Sequence, residues 1–250
     1  MLGRTHGFAR TRTRDVLFCG VLAFGGCAAP GPGGAAPASD AAPVASAPVQ
    51  LAPGLEVDRS RRELRVSAQV AMDRGWLEQA VCRAGTREHE SLLVVEASPR
   101  AIHAGLLLLG LQPGAPGSWT QSADGALRSA PPTGDPVELW VRTAGGDRPL
   151  HEWIHDPRSG RAFPAHPWIF AGSRTRPNTP RMGPGEHYVA DRTGSVVGIV
   201  TFGDEVIAFR EVHADKAEVE VPEWQARTDG IPAPGTSVTL LVRPAGGGAP

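Results

Sequence analysis

Over most of the chain hydrophobic and polar positions alternate with a period of two, the spacing of half-buried strands. The run Val137-Glu138-Leu139-Trp140-Val141-Arg142 shows it cleanly, with Val137, Leu139 and Val141 directed to the core. The same reading predicts short strands over Glu63–Val66, Val70–Met72 and Val238–Val242. Leu77–Cys82 and Ser91–Ala97 flank the turn-like segment Arg83–Glu90 and are expected to pair as a hairpin. Glu152–Ile154 and Trp168–Ala171, with a turn at Asp156–Gly160, give a second strand pair. Tyr188–Asp191, the turn Arg192–Gly194 and Ser195–Phe202 give a third.

One segment changes to the helical period. Ser98 is an N-cap, Pro99 stands at N1, and Gly110 ends the helix at C′. Ile102, Leu106 and Leu109 form its apolar stripe. Gly105 costs this helix about 1 kcal/mol relative to alanine, and a glycine there suits a close approach of helix to sheet. The expected fold class is therefore α+β: a mostly antiparallel sheet with one main helix over about 99–109.

The N-terminal 54 residues follow neither pattern. Arg4, Arg10, Arg12 and Arg14 precede the short apolar run Val16–Phe24, and Gly25-Gly26 precede Cys27. A basic stretch, a short apolar stretch and small residues make a signal peptide. The cysteine after them resembles the lipobox of bacterial lipoproteins, which makes Cys27 the expected lipidated N-terminus after removal of residues 1–26. The Ala/Pro/Gly-rich stretch 27–54 lacks the bulk to form a core and is expected to be a disordered tether. Its last 26 residues, Ala28–Pro53, reach roughly 80 Å if extended. A single domain is expected over 55–244, with a short tail over 245–250.

Charge and cysteine content narrow the function. Without the leader, 21 Lys and Arg face 25 Asp and Glu, a net charge of −4 with histidine neutral. The basic residues are scattered, and nucleic acid would need them clustered. Cys82 is the one cysteine of the expected domain. A disulfide within the domain, a cysteine-rich zinc site and an iron–sulfur cluster are thereby excluded from it. Set in LEQAVCRAG, Cys82 reads as a buried, inert thiol.

Several segments together resemble the YdjY-type domain of bacterial envelope proteins. They are Glu88–Leu93, Pro99–Gly110, Pro132–Val137, Trp168–Ser173 and Tyr188–Gly198, in that order. The resemblance implies an envelope location and carries no defined reaction. The iron–sulfur role described for some members is not implied here, because the cysteines are missing.

Candidate chemistry lies in two places. His151-Glu152-Trp153-Ile154-His155 spells H-E-x-x-H, which as a zinc site needs a helix. Pro149 before it and Pro157 after it argue for a strand entering a turn instead. The better cluster is Glu88, His89 and Glu90, joined by His103 if the helix brings it near. Imidazole and carboxylate suit a divalent metal or a polar ligand; the alternative is that they satisfy backbone groups at a turn. Trp168, Phe170, Gly172 and Ser173 read as core rather than pocket wall. The motifs of nucleophilic hydrolases, P-loops and dinucleotide folds do not occur.

The expected protein is an exported lipoprotein of the cell envelope. It is held to a membrane by its lipid, faces the periplasm or the outside, and acts as a non-catalytic module binding an envelope partner or a small ligand. No cofactor and no nucleic-acid partner are expected. The alternative is a metal-dependent, hydrolase-like enzyme built on the His/Glu cluster.

Overall fold

Glu63–Val70 is where the architecture is decided. Leu64, Val66, Ala68 and Val70 are buried along one face of this eight-residue strand, and both of its edges are paired. A computed structural model describes residues 47–246, and in it eleven strands form one sheet. In chain order these are β1 (Val49–Ala52), β2 (Leu55–Asp58), β3 (Glu63–Val70), β4 (Gln79–Arg83), β5 (Ser91–Val95) and β6 (Pro136–Thr143). They continue with β7 (Gly146–Pro149), β8 (Trp168–Ile169), β9 (Ser195–Gly198), β10 (Ile207–Phe209) and β11 (Ser237–Pro244).

Eight of them close into a barrel in the order β3-β11-β6-β8-β10-β9-β4-β5, with β5 returning to β3. One edge of β3 meets β11 along its length; the other is shared between β2 at its start and β5 at its end. This overturns the α+β sheet expected from the sequence: the described residues are mostly β, with a closed barrel and two short helices among them. Closure leaves the barrel strands without free edges.

Three expected pairings are corrected as well. β4 and β5 are parallel, with Gln79 beside Ser91 and Val81 beside Leu93, so they are not a hairpin. The chain between them doubles back through a 3₁₀ turn at Glu88–Glu90. The continuous apolar runs Ala80-Val81-Cys82 and Leu92-Leu93 fit strands covered on both faces. Ile154–His155 pairs with Gln225–Ala226, whereas Trp168–Ile169 lies between β6 and β10. Between Tyr188 and Ser195 stands a helix, α2 (Val189–Thr193), and β9 pairs with β4 and β10. The two early strands fuse into β3, and residues 49–52 of the expected tether form β1.

Helix α1 (Pro99–Leu108) forms as its caps require. Ser98 Oγ accepts from the amide of Ala101 at 3.2 Å, and Gly110 has φ 83°. Ile102, Leu106 and Leu109 are buried. A Cβ on Gly105 would lie 2.5 Å from Leu64 Cδ1, so the glycine permits the close packing of α1 on the barrel. Asp191 of α2 holds the start of α1 by accepting from Arg100 N at 2.9 Å and from Arg100 Nε at 3.0 Å.

The pairings give the barrel two distinct ends. β5 leads into α1 at the end where β3 begins and β11 finishes; we call this the α1 end. Val49 stands opposite Val57, so the described chain also begins at the α1 end, beside the turn Arg59–Arg62. At the far end β3 finishes, β4 and β5 begin, and β9 finishes. Among the described residues, no helix is long and apolar enough to cross a membrane.

Candidate functional site

The far end of the barrel holds a cavity of about 410 Å³. Its apolar walls include Met72, Trp76, Leu77, Val221 and Trp224, and its polar lining includes Glu78, Glu90, Asp215 and His213. Trp76 is 39% and Val221 59% exposed, so two exposed apolar side chains share this lining. A more open groove of about 420 Å³ crosses the outer barrel wall near Ser67, Gln69 and Thr239, without comparable aromatic lining.

The parallel register of β4 and β5 builds the acidic side of the cavity. Glu78 and Glu90 immediately precede Gln79 and Ser91, which are register partners. The Glu78 amide donates to the Glu90 carbonyl at 3.1 Å. The Glu78 carbonyl in turn accepts from Ile199 N at 2.9 Å and Val200 N at 3.1 Å. Two like carboxyl groups are thereby held side by side. Burial first, then the Glu90 charge, pushes the Glu78 carboxyl up to about 7. Arg87 opposes this rise, its Nη1 lying 3.6 Å from Glu78 and 3.5 Å from Glu90 while its guanidinium sits over the Phe202 ring.

The other side comes from residues 211–224. His213 stacks on Phe209 with ring centroids 5.6 Å apart. Its Nδ1 lies 2.8 Å from Glu220 Oε1, and Glu220 Oε2 accepts from Ala214 N at 2.7 Å. That bond puts a proton on Nδ1, and Nε2 lies 3.7 Å from Glu211 Oε2. His213 Nε2 and Trp224 Nε1 are buried without a hydrogen-bond partner among the described residues. Glu223 is engaged by Arg161, and Leu77 N donates to the Trp224 carbonyl at 3.0 Å, tying this wall to the strand side.

The residues singled out in the sequence are divided between the two ends. His89 and Glu90 line the cavity, His89 at its rim and 77% exposed. Glu88 turns inward on its own loop, where it accepts from the amide of Gly85. Backbone donors hold its carboxyl below the usual range. His103 lies at the α1 end and does not join them. Its Nδ1 is 3.0 Å from the Gly172 carbonyl and 2.9 Å from Tyr188 Oη. Its ring packs edge-on against Phe170, and burial lowers its pKa. The helix runs from the end of β5, whereas Glu88–Glu90 precedes the start of β5; the length of the strand separates them.

His151 belongs to a 3₁₀ turn over Leu150–Trp153 and His155 to the strand that follows. The H-E-x-x-H residues therefore do not share a helical face. Among the described residues, no three His, Cys, Asp or Glu side chains gather as a metal site requires. Trp168 and Phe170 are buried in the core, as expected. Cys82 is buried too, and burial raises its thiol pKa. Cys27 and the leader lie outside the described residues.

Sequence reasoning missed Glu78, Asp215 and His213. The available signal was the acidic run around Val221-Pro222-Glu223-Trp224, whose apolar and acidic residues alternate as a chain covering a polar surface would. The YdjY domain model matches residues 55–243 of the chain. No curated protein and no solved structure matches it.

Proposed function

The chain belongs to the YdjY domain family, and from that premise we propose that it is an envelope lipoprotein whose barrel is a binding module. The cavity at the far end carries this reading. It combines apolar walls with a few polar groups brought together from separate parts of the chain, the composition of small-molecule sites. Trp224 Nε1 and His213 Nε2 are buried atoms of this lining without a partner among the described residues.

The described chain enters the barrel at the α1 end, and the cavity lies at the other end. The basic, apolar and small-residue stretches before Cys27 support export and lipidation. Each buried acyl CH₂ adds about 0.8 kcal/mol of membrane affinity. In a fractionation of the full chain, Cys27→Ser should move the protein from the membrane to the soluble fraction. Unchanged membrane association of that variant contradicts the anchor.

A further inference from the structure

We propose that the far-end cavity binds a small ammonium compound, a primary amine on an apolar stem. The inference rests on the reading of the domain as a binding module and names its ligand.

Hydrogen-bond direction supports it first. Glu78, Glu90 and Asp215 offer acceptor oxygens to the cavity. A ligand matched to these carboxyl groups must donate to them, while the unpartnered Trp224 Nε1–H is the opposite case, a donor. An ammonium supplies three donors from one atom.

Charge supports it second. Glu220 is engaged by His213 and Ala214, and Glu223 by Arg161. Glu78, Glu90 and Asp215 remain, with Arg87 beside the first two and His89 Nε2 3.6 Å from Glu90 Oε2. Asp215 is exposed and has no ion-pair partner among the described residues. Arg158, over the Trp76 face and bonded to the Pro222 carbonyl, is a second guanidinium at this wall; three carboxyl groups against two guanidinium groups leave an excess of acceptors, which favours a cation over an anion. Burial and the Glu90 charge favour the protonated Glu78 carboxyl, and an ammonium would take the place of that proton.

The apolar part follows from the walls. Trp76, Leu77 and Val221 give a stem somewhere to leave water. Arg158 and Arg161 already lie over the faces of Trp76 and Trp224, at 5.0 and 4.8 Å from the ring centroids. Recognition of the charge therefore falls to the carboxylates rather than the indole faces.

The test is calorimetric titration of the full chain with n-hexylamine, n-hexanol and hexanoate, three probes that share a stem. At pH 8 the amine should bind about tenfold or more tightly than the alcohol, the scale of one charge-assisted hydrogen bond, and hexanoate should not bind. The charged groups facing Glu78 are Glu90, Arg87 and His89 from the β4–β5 crossover and Asp215, His213, Glu220 and Glu223 from the opposite wall. Amine affinity should rise between about pH 6 and 8 as Glu78 loses its proton. Glu78→Gln should weaken amine binding about tenfold and flatten that rise. Asp215→Asn, a change on an exposed loop, should weaken it in the same direction. Equal binding of alcohol and amine overturns the ammonium assignment and leaves the binding module standing. Failure of all three probes overturns both.

Discussion

Glu78 and Glu90 sit side by side across a parallel pair of strands, the amide of one bonded to the carbonyl of the other at 3.1 Å. Their carboxyl groups enter the same cavity, and Glu78 is pushed up to about 7. A carboxyl whose folded pKa exceeds its unfolded value stabilises the fold least at high pH. Its contribution is fully present below the ordinary value of 4.5 and is lost as pH rises through about 7. Glu78→Gln should therefore raise the melting temperature at pH 8 and leave it nearly unchanged at pH 4. A gain in stability together with a loss of amine binding is the signature of a residue kept for function. A lower melting temperature at pH 8 would instead make Glu78 a structural group.

Glu205 provides a second pH-dependent site, outside the cavity lining. It lies in the crossover from β9 to β10, where burial pushes its carboxyl up to about 7. Its Oε1 accepts from Phe202 N and Gly203 N, while Oε2 is without a partner among the described residues. Glutamine keeps the accepting oxygen and removes the buried charge. Glu205→Gln should stabilise the domain by on the order of 1–3 kcal/mol at pH 8, with little effect at pH 4. Chemical denaturation at the two pH values measures this. Equal effects at both would show that the shift is not electrostatic.

These two glutamates also mark the limit of what the sequence made legible. Period-two alternation located β6 and β11 because one face of each is polar. The caps and stripe located α1 because they act within a few residues. Closure was hidden: it depends on β5 reaching β3, and nothing local to Ala68 or Val95 announces their pairing. The parallel arrangement of β4 and β5 was hidden too, since a short turn-like connection ordinarily reads as a hairpin. The site inherits that error. His89 and Glu90 were recognised from their own local cluster, but the parallel register brings Glu78 to Glu90, and a segment some 120 residues away brings His213. His103 was grouped with the wrong end because strand length had to be crossed.

The packing of α1 gives a test of the α1 end. Alanine at Gly105 gains about 1 kcal/mol in helix propensity, yet its Cβ would lie 2.5 Å from Leu64 Cδ1 in a fully buried core. Gly105→Ala should be net destabilising by about 1 kcal/mol, since overpacking costs about 1–3 kcal/mol. Adding Leu64→Val should recover part of the loss, a coupling that a double-mutant cycle reads directly. Additive effects would contradict the contact.

Leu106 lies on the same helix and is fully buried. Leu106→Asp would place an unpaired carboxylate against the barrel or expel the helix. The expected loss is several kcal/mol, comparable to the whole stability of a domain. A melting curve identical to that of the parent would show that another face of α1 points inward.

The most direct test of the central claim is the location of ligand binding by amide NMR during titration with n-hexylamine. The account predicts shifts concentrated at Leu77, Glu90 and Asp215 around the far-end cavity, with His103 and Tyr188 at the α1 end unmoved. Shifts centred on the α1 end, or spread evenly over both ends, would contradict it.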